Sequence, residues 1–145
     1  LKKLILPLCN LITPNIPEAE VLTGYSISNK EDMIKAGKKI ISMGAKNVLL
    51  KGGHLKKKMI FDILITNRKI TIFKKRKIRT RNTHGTGCTL SSAIATCLSQ
   101  RKNIYKSCIM SLKYVNKAIV QAPGFGKGFG PLNHLVSFNL KNIND

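Results

Sequence analysis

The sequence predicts an α/β fold: a mostly parallel sheet flanked by helices, with an antiparallel hairpin. Three observations carry that expectation. Residues 11–51 alternate as strand, helices, strand, the pattern of a parallel pair with a helical crossover. Two extended runs, 59–66 and 69–74, meet at Asn67-Arg68 with too little chain between them for anything but a hairpin. A glycine-rich junction, Asn82-Thr83-His84-Gly85-Thr86-Gly87-Cys88-Thr89, then leads from a basic extended stretch into a helix.

The elements follow in order. The chain begins without an initiator Met, in apparent mid-helix (Leu1 to Leu6, then Pro7), the look of a fragment of something longer. Leu11-Ile12-Thr13 is a short apolar strand that stops at Pro14. Pro17 suits the first turn of a helix and Gly24 its end. Ser28-Asn29-Lys30-Glu31 has the spacing of a capping box, with Ser28 as the cap. The helix it opens presents Met33, Ile34, Gly37, Ile40 and Ile41 as one apolar stripe and stops at Gly44. Asn47 to Lys51 reads as a buried strand, and Lys51-Gly52-Gly53-His54 lies at its carboxyl end, where open α/β sheets place ligands. After the glycine junction come a helix to about Ser99 and another over 104–122, striped by Ile104, Cys108, Leu112, Val115, Ile119 and Ala122. Gly124 to Pro131 reads as a flexible loop. No repeat and no linker divides the 145 residues, enough for one core.

Composition narrows the function classes. No apolar run approaches membrane-spanning length and no signal-peptide pattern is present. The four cysteines (Cys9, Cys88, Cys97, Cys108) lack zinc or redox spacing and read as free thiols of a cytoplasmic protein. The net charge of +20 invites a nucleic-acid reading. Against it, Lys, Ile and Asn make up 51 of the 145 residues, the bias of an AT-rich genome. The lysines are scattered, with dense runs only at 56–58 and 74–79, and Phe73 is the only aromatic nearby, where RNA binding usually adds several. No specific nucleic-acid partner and no membrane are expected.

The glycine junction points to anions. Two glycines at a loop-to-helix start let the backbone turn tightly and aim several N–H groups at one spot, reinforced by the positive end of the helix dipole. A thiol at Cys88, in the first turn, would have a lowered pKa and could act as base or nucleophile. The plainer alternative is a turn before a buried helix whose cysteine only packs. Of the six acids, Glu31 and Asp32 belong to a helix start and Asp145 to the terminus, which leaves Glu18, Glu20 and Asp62 to serve a metal–phosphate complex. Glu18 equally suits the dipole of its own helix. Lys51 either balances phosphate charge or is an ordinary strand-end lysine. His84 and His54 are candidate ligands set against the commoner solvated or core histidine, and His134 has no assigned role. No Walker A pattern occurs, which excludes a P-loop enzyme.

Three stretches together resemble a family: Thr13-Pro14-Asn15-Ile16-Pro17-Glu18-Ala19-Glu20, Leu50-Lys51-Gly52-Gly53-His54, and the junction Asn82 to Thr89. With Gly130-Pro131-Leu132-Asn133-His134 as a fourth, they look like the hydroxymethylpyrimidine/phosphomethylpyrimidine kinases of thiamine biosynthesis. The resemblance spans essentially the whole chain. It implies a ribokinase-like three-layer fold and a reaction in which magnesium-ATP phosphorylates the pyrimidine alcohol and then its monophosphate. It implies that Gly85, Thr86, Gly87 and the Cys88 amide form the anion hole, with Cys88 where most ribokinase-like enzymes carry a catalytic Asp. It matches Asn15 and Glu18 to an Asn-x-x-Glu motif linked to magnesium and phosphate, and Lys51, with Gly53 and Gly87 beside it in the nucleotide-binding set, to an ATP-contacting lysine.

The family is nearly twice this length, and the part without a counterpart is its N-terminal half, with the first strands, the lid and most pyrimidine contacts. The chain thus resembles a single partial domain over 1–145, the nucleotide-binding and catalytic half, whether as a truncated product, a split subunit or a cropped chain. Alone it is expected to be inactive, with a second copy or the N-terminal half as its protein partner. The rival readings are a pyridoxal kinase of the same superfamily and a decayed fragment keeping only anion or nucleic-acid affinity.

Overall fold

The computed structural model describes residues 4–53 and 59–136. Expectations that concern residues 1–3, His54, the basic run 56–58 and Asp145 lie outside the described residues. The chain divides after Lys77 into two compact units.

The first unit opens with a single 3-10 turn at Leu6–Leu8. An extended segment follows, and then helices α1 (Ile16–Thr23) and α2 (Lys30–Ser42). Strands β1 (Asn47–Lys51), β2 (Met59–Thr66) and β3 (Ile70–Arg76) complete it. Gly24 ends α1 in the left-handed region, as its position after the helix requires. The stripe of α2 falls where its spacing puts it: Met33, Gly37 and Ile40 are buried, and Ile34 and Ile41 pack at the margin of the same core. Gly37 is small for a reason, since a Cβ there would collide with Ile65 Cδ1 across the sheet. Ile16, Ala19, Val48, Leu50 and Ile63 close this core.

One cap is displaced from its expected position. Asn29, not Ser28, caps α2, its side-chain oxygen accepting the Asp32 N–H at 2.9 Å. Asp32 then reaches back, accepting the Ser28 N–H at 3.0 Å and the Ser28 hydroxyl at 2.9 Å. Those Ser28 contacts, the backbone one first, hold the Asp32 carboxyl below its ordinary value. Asn and Ser are near-equal caps and each has a carboxylate three residues on, Glu31 after Ser28 and Asp32 after Asn29, so two adjacent helix starts compete. Glu31 instead meets Lys30 at 3.4 Å on the surface.

The sheet runs β1-β2-β3, antiparallel at both pairings, with Leu49 opposite Leu64 and Ile63 opposite Ile72. In this unit parallel pairing, expected to dominate, is present as two isolated bridges, Ile12 to Val48 and Asn15 to Lys51. Ile12 donates to the Asn47 carbonyl at 3.1 Å and accepts from Leu49 at 2.8 Å, and Pro14 accepts from Lys51 at 2.9 Å. The next donor in that ladder falls on Pro14, which has no N–H, and the ladder breaks there.

The second unit holds α3 (Thr86–Ser99) and α4 (Ile104–Val120). Asn103 caps α4, which ends two residues short of the expected 122. Its buried face contains Cys108, Leu112 and Val115 as expected, but also Ser107 and Ser111, each almost wholly buried. Ile104, Ile119 and Ala122 are only half-buried. Residues 121–136 are irregular, tied down where His84 pairs with Pro131 and Asn133 donates to the Ala118 carbonyl at 3.1 Å.

Candidate active site

The first unit gathers Asn15, Glu18, Lys51 and Gly53 around the carboxyl ends of two parallel segments. Asn15 begins α1 and is bridged to Lys51, the last residue of β1. The Asn15 side chain accepts the Glu18 N–H at 2.9 Å, and Glu18 Oε2 accepts the Asn15 N–H at 2.8 Å. The Asn-x-x-Glu spacing therefore has a structural explanation in full: it is a reciprocal capping box. Glu18 remains exposed, with Oε1 outside that box. The other two acids considered for a metal are occupied. Glu20 Oε1 accepts the Ile27 N–H at 2.8 Å, tying down the loop after α1. Asp62 is buried in an ion pair with Lys75 at 3.0 Å and accepts the Gly52 N–H at 3.0 Å. Among the described residues no three His, Cys, Asp or Glu side chains cluster as a metal site.

The second unit carries the glycine junction. Gly85 precedes α3 at φ 80°, where a Cβ would meet nothing within 4 Å, so its conformation and not its size demands glycine. Thr86 donates to Thr83 at 3.4 Å, and Thr89 bonds Gly85 through both its N–H and its hydroxyl. No side chain caps α3. The N–H groups of Gly87 and Cys88 belong to the first turn, which has no acceptor of its own. Gly87 has ordinary helical backbone, so torsion does not demand glycine there. The loop is buttressed from the tail: His84 donates its N–H to the Gly130 carbonyl at 3.2 Å, and a Cβ on Gly130 would strike the Asn82 Oδ1.

Cys88 is exposed and opens onto a cavity of about 710 Å³ between α3 and α4, lined also by Gly85, Thr89, Ala93, Met110 and Tyr114. This groove was not foreseen; its only trace in the sequence is the small-residue face of α3 (Ser92, Ala93, Thr96). Cys108 lies buried beneath, its thiol pushed up to about 12 by burial and, secondarily, by Cys97. His134 lines the groove and its carbonyl accepts the Tyr114 hydroxyl at 3.0 Å, whereas the His84 side chain is exposed. All four cysteines are free thiols.

Two lysines of the run at 74–79 are employed within the fold, Lys75 on Asp62 and Lys77 on the Gly53 carbonyl at 3.3 Å. Among the described residues no helix is long and apolar enough to cross a membrane.

A family model for phosphomethylpyrimidine kinase matches residues 1–133. The chain belongs to that family. A thiamine biosynthesis bifunctional protein ThiED of Geobacter sulfurreducens is 45% identical over 94% of the chain and 28% of its own length. A hydroxymethylpyrimidine/phosphomethylpyrimidine kinase of Bacillus subtilis is 37% identical over 99% of the chain and 53% of its own. Among solved structures, an ADP complex of Bacillus subtilis pyridoxal kinase superposes with a TM-score of 0.86 at 31% identity, over 92% of this chain and 52% of that one. The fold is therefore that of the ribokinase-like kinases. The chain spans about half the length of the curated kinase it matches. For a phosphomethylpyrimidine kinase family member, an uncapped glycine-rich helix start is chemically apt: backbone N–H groups and a helix dipole stabilise phosphoryl charge without needing to reorganise.

Proposed function

We propose that this chain is the nucleotide-binding and catalytic half, a single partial domain, of a cytoplasmic kinase. In thiamine biosynthesis that kinase phosphorylates hydroxymethylpyrimidine and then its monophosphate with magnesium-ATP. The observation that carries the reading is the N-terminus of α3: Gly85 at φ 80°, no side-chain cap, and Gly87 and Cys88 presenting first-turn N–H groups beside an open cavity. In this reading Gly85, Thr86, Gly87 and the Cys88 amide cradle the transferring phosphoryl group, and the Cys88 side chain acts as the base toward the attacking hydroxyl. Asn15, Lys51, Gly53 and Gly87 hold the nucleotide, Lys51 as a point charge on phosphate.

Glu18 fits magnesium as a lone exposed carboxylate, since this ion is commonly held by one or two carboxylates together with substrate phosphates and water. Bound there, the ion would neutralise phosphate charge. A second reading, a pyridoxal kinase, draws support from the close superposition on such an enzyme.

A coupled ADP-release assay separates these readings, run on the 145-residue chain alone and after co-expression with the N-terminal half of a full-length relative. Little release is expected from the chain alone, and release dependent on hydroxymethylpyrimidine is expected with the partner half. Robust turnover by the chain alone would mean that it already holds the pyrimidine site. Preference for pyridoxal in the assembled enzyme would establish the second reading.

A further inference from the structure

The β1–β2–β3 register sets one carboxylate between two ammonium groups. Lys51 is directly opposite Asp62, and Asp62 is opposite Phe73, with Lys75 two residues further along β3. Opposed positions of an antiparallel pair share a face, with Cβ atoms roughly 5 Å apart, and residues two apart on a strand share it too. Lys51, Asp62 and Lys75 therefore lie on the same side of the sheet. The contest is already decided: Asp62 Oδ2 is 3.0 Å from Lys75 Nζ, and among the described residues no carboxylate lies within ion-pairing distance of Lys51.

The second oxygen of Asp62 is equally committed. Oδ1 accepts the Gly52 N–H at 3.0 Å, and the residue is only 3% exposed. Gly52 is pinned from the other side, because a Cβ there would run into the Phe61 carbonyl oxygen. Lys77 holds the Gly53 carbonyl at 3.3 Å.

We propose that Asp62 and Lys75 are positioning residues for Lys51: Asp62 fixes the Lys51-Gly52-Gly53 turn, and Lys75 neutralises Asp62 so that the Lys51 ammonium stays open to nucleotide phosphate. The proposal rests on the reading of Lys51 as the phosphate-contacting lysine. Its physical basis is that a buried carboxylate stripped of its cation is strongly unfavourable and recruits the nearest replacement. Lys51, directly across the strand pair on the same face, is placed to supply that replacement. Lys75 would then govern nucleotide affinity without touching the nucleotide.

Calorimetric titration with ATP of the chain co-expressed with the N-terminal half of a full-length relative, alongside thermal melting, tests this. Lys51→Met should weaken binding roughly tenfold, the effect of losing one charged contact. Lys75→Met should weaken it in the same direction, by roughly three- to tenfold, and Lys75→Arg, which keeps a cation, should not. The deciding variant is the double substitution Asp62→Asn with Lys75→Met. Asparagine still accepts the Gly52 N–H but no longer attracts Lys51, so affinity should recover most of the loss. A purely structural role predicts no such recovery. Wild-type affinity in Lys75→Met, or an affinity in the double variant as low as in Lys75→Met with both melting normally, overturns the proposal while leaving Lys51 as the phosphate lysine. Undetectable binding by the wild type, or wild-type affinity in Lys51→Met, removes the phosphate lysine itself and the positioning role with it. If Lys75→Met does not fold, Asp62→Asn alone decides: affinity within about threefold of wild type, against a large loss in Asp62→Ala, supports the turn-fixing role, and equal losses in the two refute it.

Discussion

The N-termini of α1 and α3 solve the same problem in opposite ways. Both expose first-turn N–H groups that the helix cannot satisfy. At α1, Asn15 and Glu18 exchange hydrogen bonds in a reciprocal capping box. At α3, Gly85 supplies a left-handed turn and nothing else. Helices α2 and α4 follow α1, with Asn29 and Asn103 as caps. Among the described residues, the starts of α1, α2 and α4 are thus capped by the chain's own side chains, and the start of α3 is not. Stability and anion affinity draw on the same N–H groups, so one end cannot supply both.

Closing the open end should have the largest effect. Gly87→Val, in the enzyme assembled with an N-terminal half, should abolish ATP-dependent turnover while circular dichroism and melting remain near wild type, because the residue has ordinary helical backbone. Turnover within a few-fold of wild type would mean that the first-turn N–H groups do not face the phosphoryl group. A smaller loss is expected when the open end keeps its shape but loses its thiol. Cys88→Ala should lower kcat by roughly 10²–10⁴-fold, the span of a general base, and Cys88→Asp should retain part of the rate. An unchanged kcat would make Cys88 a packing residue. The smallest effect belongs to the closed end. Glutamine also completes a capping box, so Glu18→Gln removes charge and leaves α1 intact. It should raise the magnesium concentration needed for half-maximal rate, and an unaltered requirement would confine Glu18 to the cap.

What could be read from the sequence follows a physical divide. Local patterns were legible: the α2 stripe, the hairpin at Asn67-Arg68 and the glycine junction each depend on neighbours a few residues away. The α2 cap slipped by one because Ser28 and Asn29 are chemically near-equal caps, each followed three residues on by a carboxylate, so local spacing does not separate them. Ser107 and Ser111 were invisible as core because hydroxyls break an apolar stripe, although helices routinely bury small polar residues against a neighbour. Asp62 was a metal candidate by elimination alone. Its actual partners, Gly52 and Lys75, lie ten and thirteen residues away and meet it only through strand register. The interruption of the parallel ladder at Pro14 was legible too, since it needs one residue type at one position.

Gly85 has a consequence for which substitutions the junction can tolerate. The space beside it is empty, so what keeps other residues out is handedness: a mirror-image amino acid would fit there without strain. Among ordinary residues, Asn and Asp enter the left-handed region most readily after glycine. Those are also the residues whose side chains bring an oxygen to a helix start, and Asp would add a negative charge at the end proposed to receive a phosphoryl group. Torsion admits three residue types; of these, Asn and Asp would both cap the first-turn N–H groups, and Asp would also repel an anion. Position 85 is therefore filtered twice, and the replacements its backbone would accept most easily are the ones that would most damage its chemistry.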